Sequence, residues 1–223
     1  MMKNTLHPIV LCGSSKGTPP AACAPFVPTF VACVLFLAGC GPGRPARLVP
    51  PALDPSAVTT EILAKADANN DGVLTAGEHT AIPAVATAAA QLDADRDDRL
   101  SQEELRRWLE SVRDSKVAIT SFTAIVTHLG KPLGNVTVKL VPEPFMGPEM
   151  RAAEGVTDAS GAASVTIPGS KYPGVNCGFY RVEITGRGNG GQMLPPHYNT
   201  KTELGTAVGN MLPENGMAIF TLE

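Results

Sequence analysis

Between Asp67 and Glu104 the chain carries two acidic segments of equal length and matching donor order. The first offers Asp67, Asn69, Asp71, Thr75 and Glu78. The second offers Asp93, Asp95, Asp97, Ser101 and Glu104. In each 12-residue segment, oxygen-bearing side chains stand at positions 1, 3, 5, 9 and 12, with leucine (Leu74 or Leu100) at position 8. Alternate residues of a tightly curled loop point at one centre, so this spacing gathers oxygens around a hard cation. Calcium takes six to eight oxygens at roughly 2.3–2.6 Å. A single acidic, Asn- and Gly-rich run can be no more than a solvated turn. Two in tandem, each with Glu at position 12 and Leu at position 8, point to metal binding.

The donor order resembles the calcium loop of the EF-hand family. That resemblance implies ligands at position 7 through the backbone carbonyls of Val73 and Arg99. It also implies bidentate binding by Glu78 and Glu104, each on its exiting helix. Leu74 and Leu100 are expected to pair the loops as a short antiparallel ribbon with their side chains in the core. The loops are unequal. The first has Gly72 at position 6, where positive φ is needed, but His79 at position 13, usually apolar in the family. The second has Leu105 there and an extra acid, but Asp98 at position 6. These differences alone do not rank the two affinities.

Helices must deliver these loops. Asp54 or Ser56 can cap a first helix whose apolar face is Val58, Ile62, Leu63 and Ala66. A short helix is expected from Glu78 to Ile82, where Pro83 breaks it and opens the next. Ala84 to Leu92 is Ala-rich and helix-favouring. The linker from Glu78 to Asp93 is short for two full helices, which predicts a compact pair. Gln102 to Arg113 places Leu105, Trp108, Leu109 and Val112 at helical spacing. Trp108 is expected to pack against Leu74, Leu100 and the first helix.

The beginning of the chain reads differently. Val27 to Ala38 is an apolar run interrupted by Pro28, closing on Leu37-Ala38-Gly39-Cys40. A charged start, a short apolar stretch and small residues predict a secretory signal over 1–39. The last four residues resemble a bacterial lipobox, which implies cleavage before Cys40 and lipid on its sulfur. The run is shorter than the ~20 residues that span a bilayer. The Pro- and Gly-rich stretch 40–55 is expected to be an extended tether.

Charge is local. Asp54 to Asp114 carries 13 acidic and 6 basic residues, against 8 of each in Ser115 to Glu223. With no basic patch, nucleic acid is excluded as a partner. Of the five cysteines, only Cys40 and Cys177 would survive removal of the signal. With Cys40 lipidated, Cys177 has no partner, so no disulfide is expected. A reactive thiol or zinc ligand at Cys177 finds no supporting thiol or histidine nearby in sequence. A small buried residue at the start of a strand is the simpler reading.

At Ser115 the period changes from helical to alternating. Strand-like runs fall at Val117–Leu129, Val136–Leu140, Val156–Thr157, Val165–Ile167, Tyr180–Ile184, Ala207–Val208 and Ala218–Leu222, separated by turn residues. The expected fold class is therefore a multidomain α plus all-β chain. A small helical pair over 56–114 is followed by a seven-stranded antiparallel β-sandwich over 115–223. The β part carries its own apolar faces and is expected to fold alone. Four segments, Gly130–Val138, Gly155–Gly161, Gly178–Ile184 and Pro195–Asn199, resemble the transthyretin-like, carboxypeptidase-regulatory-like domain, an Ig-like sandwich. The match covers nearly all of 117–223 and is similar to copies in small bacterial lipoproteins. It departs at Ala162-Ala163, where an aromatic residue is usual, and in the long loop from Pro142 to Glu154. The resemblance implies a non-catalytic accessory module.

Three function classes are weighed. One is an exported, lipid-anchored protein of the bacterial cell envelope, with calcium-stabilised helices and a structural or adhesive sandwich that could meet a protein or carbohydrate partner. Another is a calcium sensor whose helices open and expose an apolar groove. The last is a hydrolase built on His79, His128 or His197, none of which sits in a catalytic motif. Asp54 to Asp114 contains no methionine, and sensors of the calmodulin kind expose Met-rich grooves. Composition therefore favours a non-catalytic scaffold.

Overall fold

The computed structural model describes residues 47–210 and 212–223. The expected signal 1–39, the lipidation site Cys40 and the first part of the tether lie outside those residues. No helix among the described residues is long and apolar enough to cross a membrane.

Helix α1 spans Pro55–Ala66. Asp54 caps it, its Oδ1 accepting from the backbone N–H groups of Ser56 and Ala57, and Pro55 supplies the preset φ of a first turn. Val58, Ile62 and Ala66 face inward. A two-residue strand β1 (Val73–Leu74) follows, then a single 3-10 turn, His79–Ala81. The expected short helix to Ile82 is cut to this turn, because Pro83 opens helix α2 (Pro83–Leu92) directly. Strand β2 (Leu100–Ser101) leads into helix α3, Gln102–Ser115. A reciprocal capping box between Ser101 and Glu104 starts α3, and Lys116 in the left-handed region ends it.

The β part has eight strands: β3 (Thr123–His128), β4 (Lys131–Pro132), β5 (Thr137–Pro142), β6 (Ala153–Val156), β7 (Ala162–Ser164), β8 (Gly178–Thr185), β9 (Gly205–Val208) and β10 (Met217–Leu222). One sheet runs β6-β5-β8-β9, antiparallel throughout. In the other, β3 pairs with β10 along one edge and with β7 and β4 along its other edge. The expectation of seven antiparallel strands is corrected twice. Short β4 brings the count to eight. The pairing of β10 with β3 is parallel, in register from Met217↔Thr123 to Leu222↔His128. Val165 and Ile167 are buried as expected, but the strand lies just before them. They flank an isolated bridge, Glu154↔Thr166.

Helices and sheets belong to one compact unit, Pro45–Glu223. One apolar cluster runs from Ile62, Val85 and Leu109 into Val138, Phe179 and Val182. The change of period at Ser115 therefore marks a change of secondary structure and not the edge of a second core. All four residues of β9 are buried, which alternation alone would not produce. One face of the strand meets the β core and the other meets α2. The approach to α2 is so close that a Cβ on Gly205 would overlap the backbone of Pro83 and Ala84. Trp108 of α3 packs on Phe179 of β8, ring centroids 4.6 Å apart. Its aromatic partner thus comes from the β part, where helix-local partners were expected. The last residues of the expected tether also lie against this unit: Val49 to Leu53 line a cavity with Met146, Met150 and Cys177. The Ala52 N–H donates to Glu149 Oε2 at 2.8 Å.

Candidate metal centre

The two acidic loops share most of their hydrogen-bond frame. The first aspartate of each accepts from the N–H at position 4, Asn70 at 2.7 Å and Arg96 at 2.6 Å. Its other oxygen accepts from position 6, Gly72 and Asp98, at 2.9 Å in both loops. The position-5 carboxylate accepts from position 7: Val73 N–H to Asp71 at 3.0 Å and Arg99 N–H to Asp97 at 2.9 Å. The final glutamate reaches back across its loop. Glu78 accepts from the N–H groups of Ala68 and Thr75 and from the Thr75 hydroxyl. Glu104 accepts from Ala94 N–H, Ser101 N–H and the Ser101 hydroxyl. Donor groups of the backbone thus fix every carboxylate at positions 1, 5 and 12.

This curl needs left-handed residues at two positions. Position 6 takes φ +81° at Gly72 and +63° at Asp98. Position 4 does the same, at Asn70 (+58°) and Arg96 (+63°), which the sequence reading had not assigned. For Arg96 and Asp98 this conformation costs about 1 kcal/mol each relative to glycine. Strands β1 and β2 pair as an antiparallel ribbon, Leu74 opposite Leu100, with both leucines at 0–1 % exposure.

The loops differ in what they gather. Asp93, Asp95 and Asp97 bring carboxylate oxygens within 4.8 Å of one another, the one such group of three among the described residues that could hold a metal ion. The first loop has an amide at the matching place. Asn69 Nδ2 donates to Asp71 Oδ2 at 3.0 Å, and Asp67, Asp71 and Glu78 form no comparable three-carboxylate group. The final glutamates differ too. Glu104 is 6 % exposed and rooted in the first turn of a 14-residue helix. Glu78 precedes only the 3-10 turn of His79–Ala81.

The carboxylates of the second loop are shifted in opposite directions. Partial desolvation within the loop raises the carboxyl of the exposed Asp95 above the ordinary range, and the negative charges of Asp97 and Glu104 raise it further. Burial also pushes Glu104 upward, but hydrogen bonds from the Ser101 backbone and hydroxyl and from Ala94 outweigh it and leave the group lowered. Glu78 is lowered by the backbone and hydroxyl of Thr75.

The three histidines weighed for catalysis have separate surroundings. Burial lowers the pKa of His79, and its Nδ1 makes no hydrogen bond. His128 is buried, and its Nδ1 accepts from Asn189 N–H at 3.1 Å. His197 lies edge-on to Tyr198. Cys177 is buried, and burial pushes its thiol up to about 11, so at neutral pH it carries almost no nucleophilic thiolate.

No protein-family model, no curated protein and no solved structure matches this chain.

Proposed function

We propose that the chain is an exported, lipid-anchored bacterial protein in which a paired EF-hand segment binds calcium to brace a transthyretin-like β-sandwich of structural or adhesive role. Calcium is the cation because every donor is an oxygen, from carboxylate, amide, hydroxyl or the carbonyls of Val73 and Arg99. Nitrogen and sulfur, the donors of zinc and copper sites, are absent. The matching hydrogen-bond frames of the two loops support a common ligand.

The observation that carries a bracing role over a sensing one is the helix–sheet seam. A sensor must uncover an apolar helix face on binding. Here the apolar faces of α2 and α3 are already covered by β8 and β9 of the same chain, through Gly205 against Pro83 and Ala84 and through Trp108 against Phe179. The test is a calcium titration followed by both melting temperature and Trp108 emission. The expected result is a rise in melting temperature with little change in emission, because Trp108 stays on Phe179. A large emission shift with micromolar affinity would favour the sensor.

The lipid anchor rests on the Leu37-Ala38-Gly39-Cys40 sequence alone. Cys40→Ser is expected to move the protein from the membrane fraction to the soluble fraction. A variant that remains uncleaved and membrane-bound would make the apolar run a retained anchor instead.

A further inference from the structure

We propose that a cavity at the helix–sheet seam, walled in part by Lys65 and Thr80 just outside the first acidic loop, binds a small zwitterion of the α-amino-acid class. The cavity, about 600 Å³, opens between α1, α2 and the helix-facing side of β8. Two opposite charges meet in it without meeting each other. Glu143 has a fully buried side chain. Its Oε2 lies 3.4 Å from Lys65 Nζ, and its Oε1 has no hydrogen-bond partner. Arg181 lines the same cavity, and its Nε is likewise buried without a partner. The β5–β8 register sets Val141 opposite Arg181, and Glu143 N–H donates to Phe179 O. The carboxylate and the guanidinium therefore sit on the same side of the sheet, one step apart along it. Among the described residues the cation in ion-pair range of Glu143 is Lys65, not Arg181.

A buried charge with half of its hydrogen-bonding capacity unused is costly. The group that relieves both orphans at once carries a donor cation for Glu143 Oε1 and an acceptor anion for Arg181 Nε, a short distance apart. An ammonium and a carboxylate on one carbon have that form. The remaining wall agrees. The hydroxyls of Thr87 and Thr202 spend their protons on the carbonyls of Pro83 and Val182, so towards the cavity they can only accept. With Glu203 at the rim they add acceptors around an ammonium, while Lys65 and Arg181 serve the carboxylate. A neutral polyol would satisfy single hydrogen bonds but bring no negative charge to Arg181.

The test is calorimetric titration of the full chain with L-alanine, L-serine, L-glutamate and L-lysine. Glucose serves as a polyol comparison, and acetate and methylammonium as ligands with one end only. At least one amino acid should bind saturably below about 10 mM, and each one-ended ligand about tenfold or more weaker. Glu143→Gln and Arg181→Met should each weaken amino-acid binding by about tenfold or more, while Lys201→Ala leaves it unchanged. Glu143→Gln keeps the shape of a fully packed side chain, so it reads the site even if Arg181→Met folds poorly. Absence of binding by every amino acid, binding of glucose in their place, or binding indifferent to Glu143→Gln would each overturn the proposal. All titrations are run in calcium, and loss of amino-acid binding in Glu143→Gln with the calcium-induced rise in melting temperature intact separates this site from the metal reading.

Discussion

Glu104→Gln should abolish most of the calcium-induced stabilisation of the chain, and Glu78→Gln should remove less. A ligand that binds only the folded state stabilises it by RT ln(1 + [L]/Kd), about 2.7 kcal/mol at a hundredfold excess over Kd. Loss of one bidentate carboxylate that lowers affinity a hundredfold would cut this to about 0.4 kcal/mol. The amide of E104Q can still accept from Ser101, but its NH2 end faces the N–H of Ala94, which now donates to Glu104 Oε1 at 2.8 Å. The ranking follows from the geometry. Glu104 works beside three converging aspartates and stands on a 14-residue helix, whereas Glu78 works beside an amide and ahead of a single turn. Melting curves of wild type and both variants, in calcium and in chelator, measure the difference directly. Identical wild-type curves in the two conditions would remove calcium from the account. A larger loss in Glu78→Gln would reverse the order of the loops.

Gly205→Ala should be strongly destabilising, because among the described glycines an added Cβ here makes the shortest approach to backbone. Its Cβ would land on the backbone of Pro83 and Ala84, and backbone cannot swing aside as a side-chain tip can. Either α2 lifts off β9 or β9 shifts within its sheet. Overpacking of this kind costs typically 1–3 kcal/mol and sometimes more; with backbone on both sides, about 3 kcal/mol is expected. Urea denaturation followed by Trp108 emission reads it, because Trp108 lies on the same seam. A variant within about 0.5 kcal/mol of wild type, the usual range for inconsequential substitutions, would mean that the seam yields easily. The calcium-bracing role would then lose its mechanical link to the sheets.

The two loops were legible because everything that makes them is local. Their oxygen-bearing side chains lie within twelve residues, and each type and spacing has its own chemical reason. The ribbon of Leu74 and Leu100 followed from the same pattern. The β part was legible as a set of apolar alternations but not as a topology. The lone pair Lys131–Pro132 carries no alternation and is exposed, so it left no signal. The parallel partnership of β10 with β3 depends on which edge is free, and no residue type announces that. The seam was invisible for another reason. Phe179 and Arg181 occupy the polar-facing phase of β8, and Gly205 reads as a strand weakener until Pro83 and Ala84 are found against it. A period-2 reading takes one face as solvent. Here helices cover part of it, which is also why Trp108 finds its partner far along the chain.

The partnership of β3 with β10 bears on the order in which the molecule assembles. The contacts that shape the acidic loops join residues mostly two to five apart, such as Gly72 with Asp67, while Thr127 meets Thr221 across 94 residues. Local contacts close cheaply and early, and distant strand pairing is slow. The helices and loops should therefore form while one edge of β3, from Thr123 to His128, still lacks its strand. Until β10 arrives, that edge presents unpaired amides and carbonyls to any neighbouring chain. Aggregation during refolding should therefore begin at Thr123–His128, and conditions that hasten the arrival of Met217–Leu222 should suppress it more effectively than conditions that merely stabilise the finished fold.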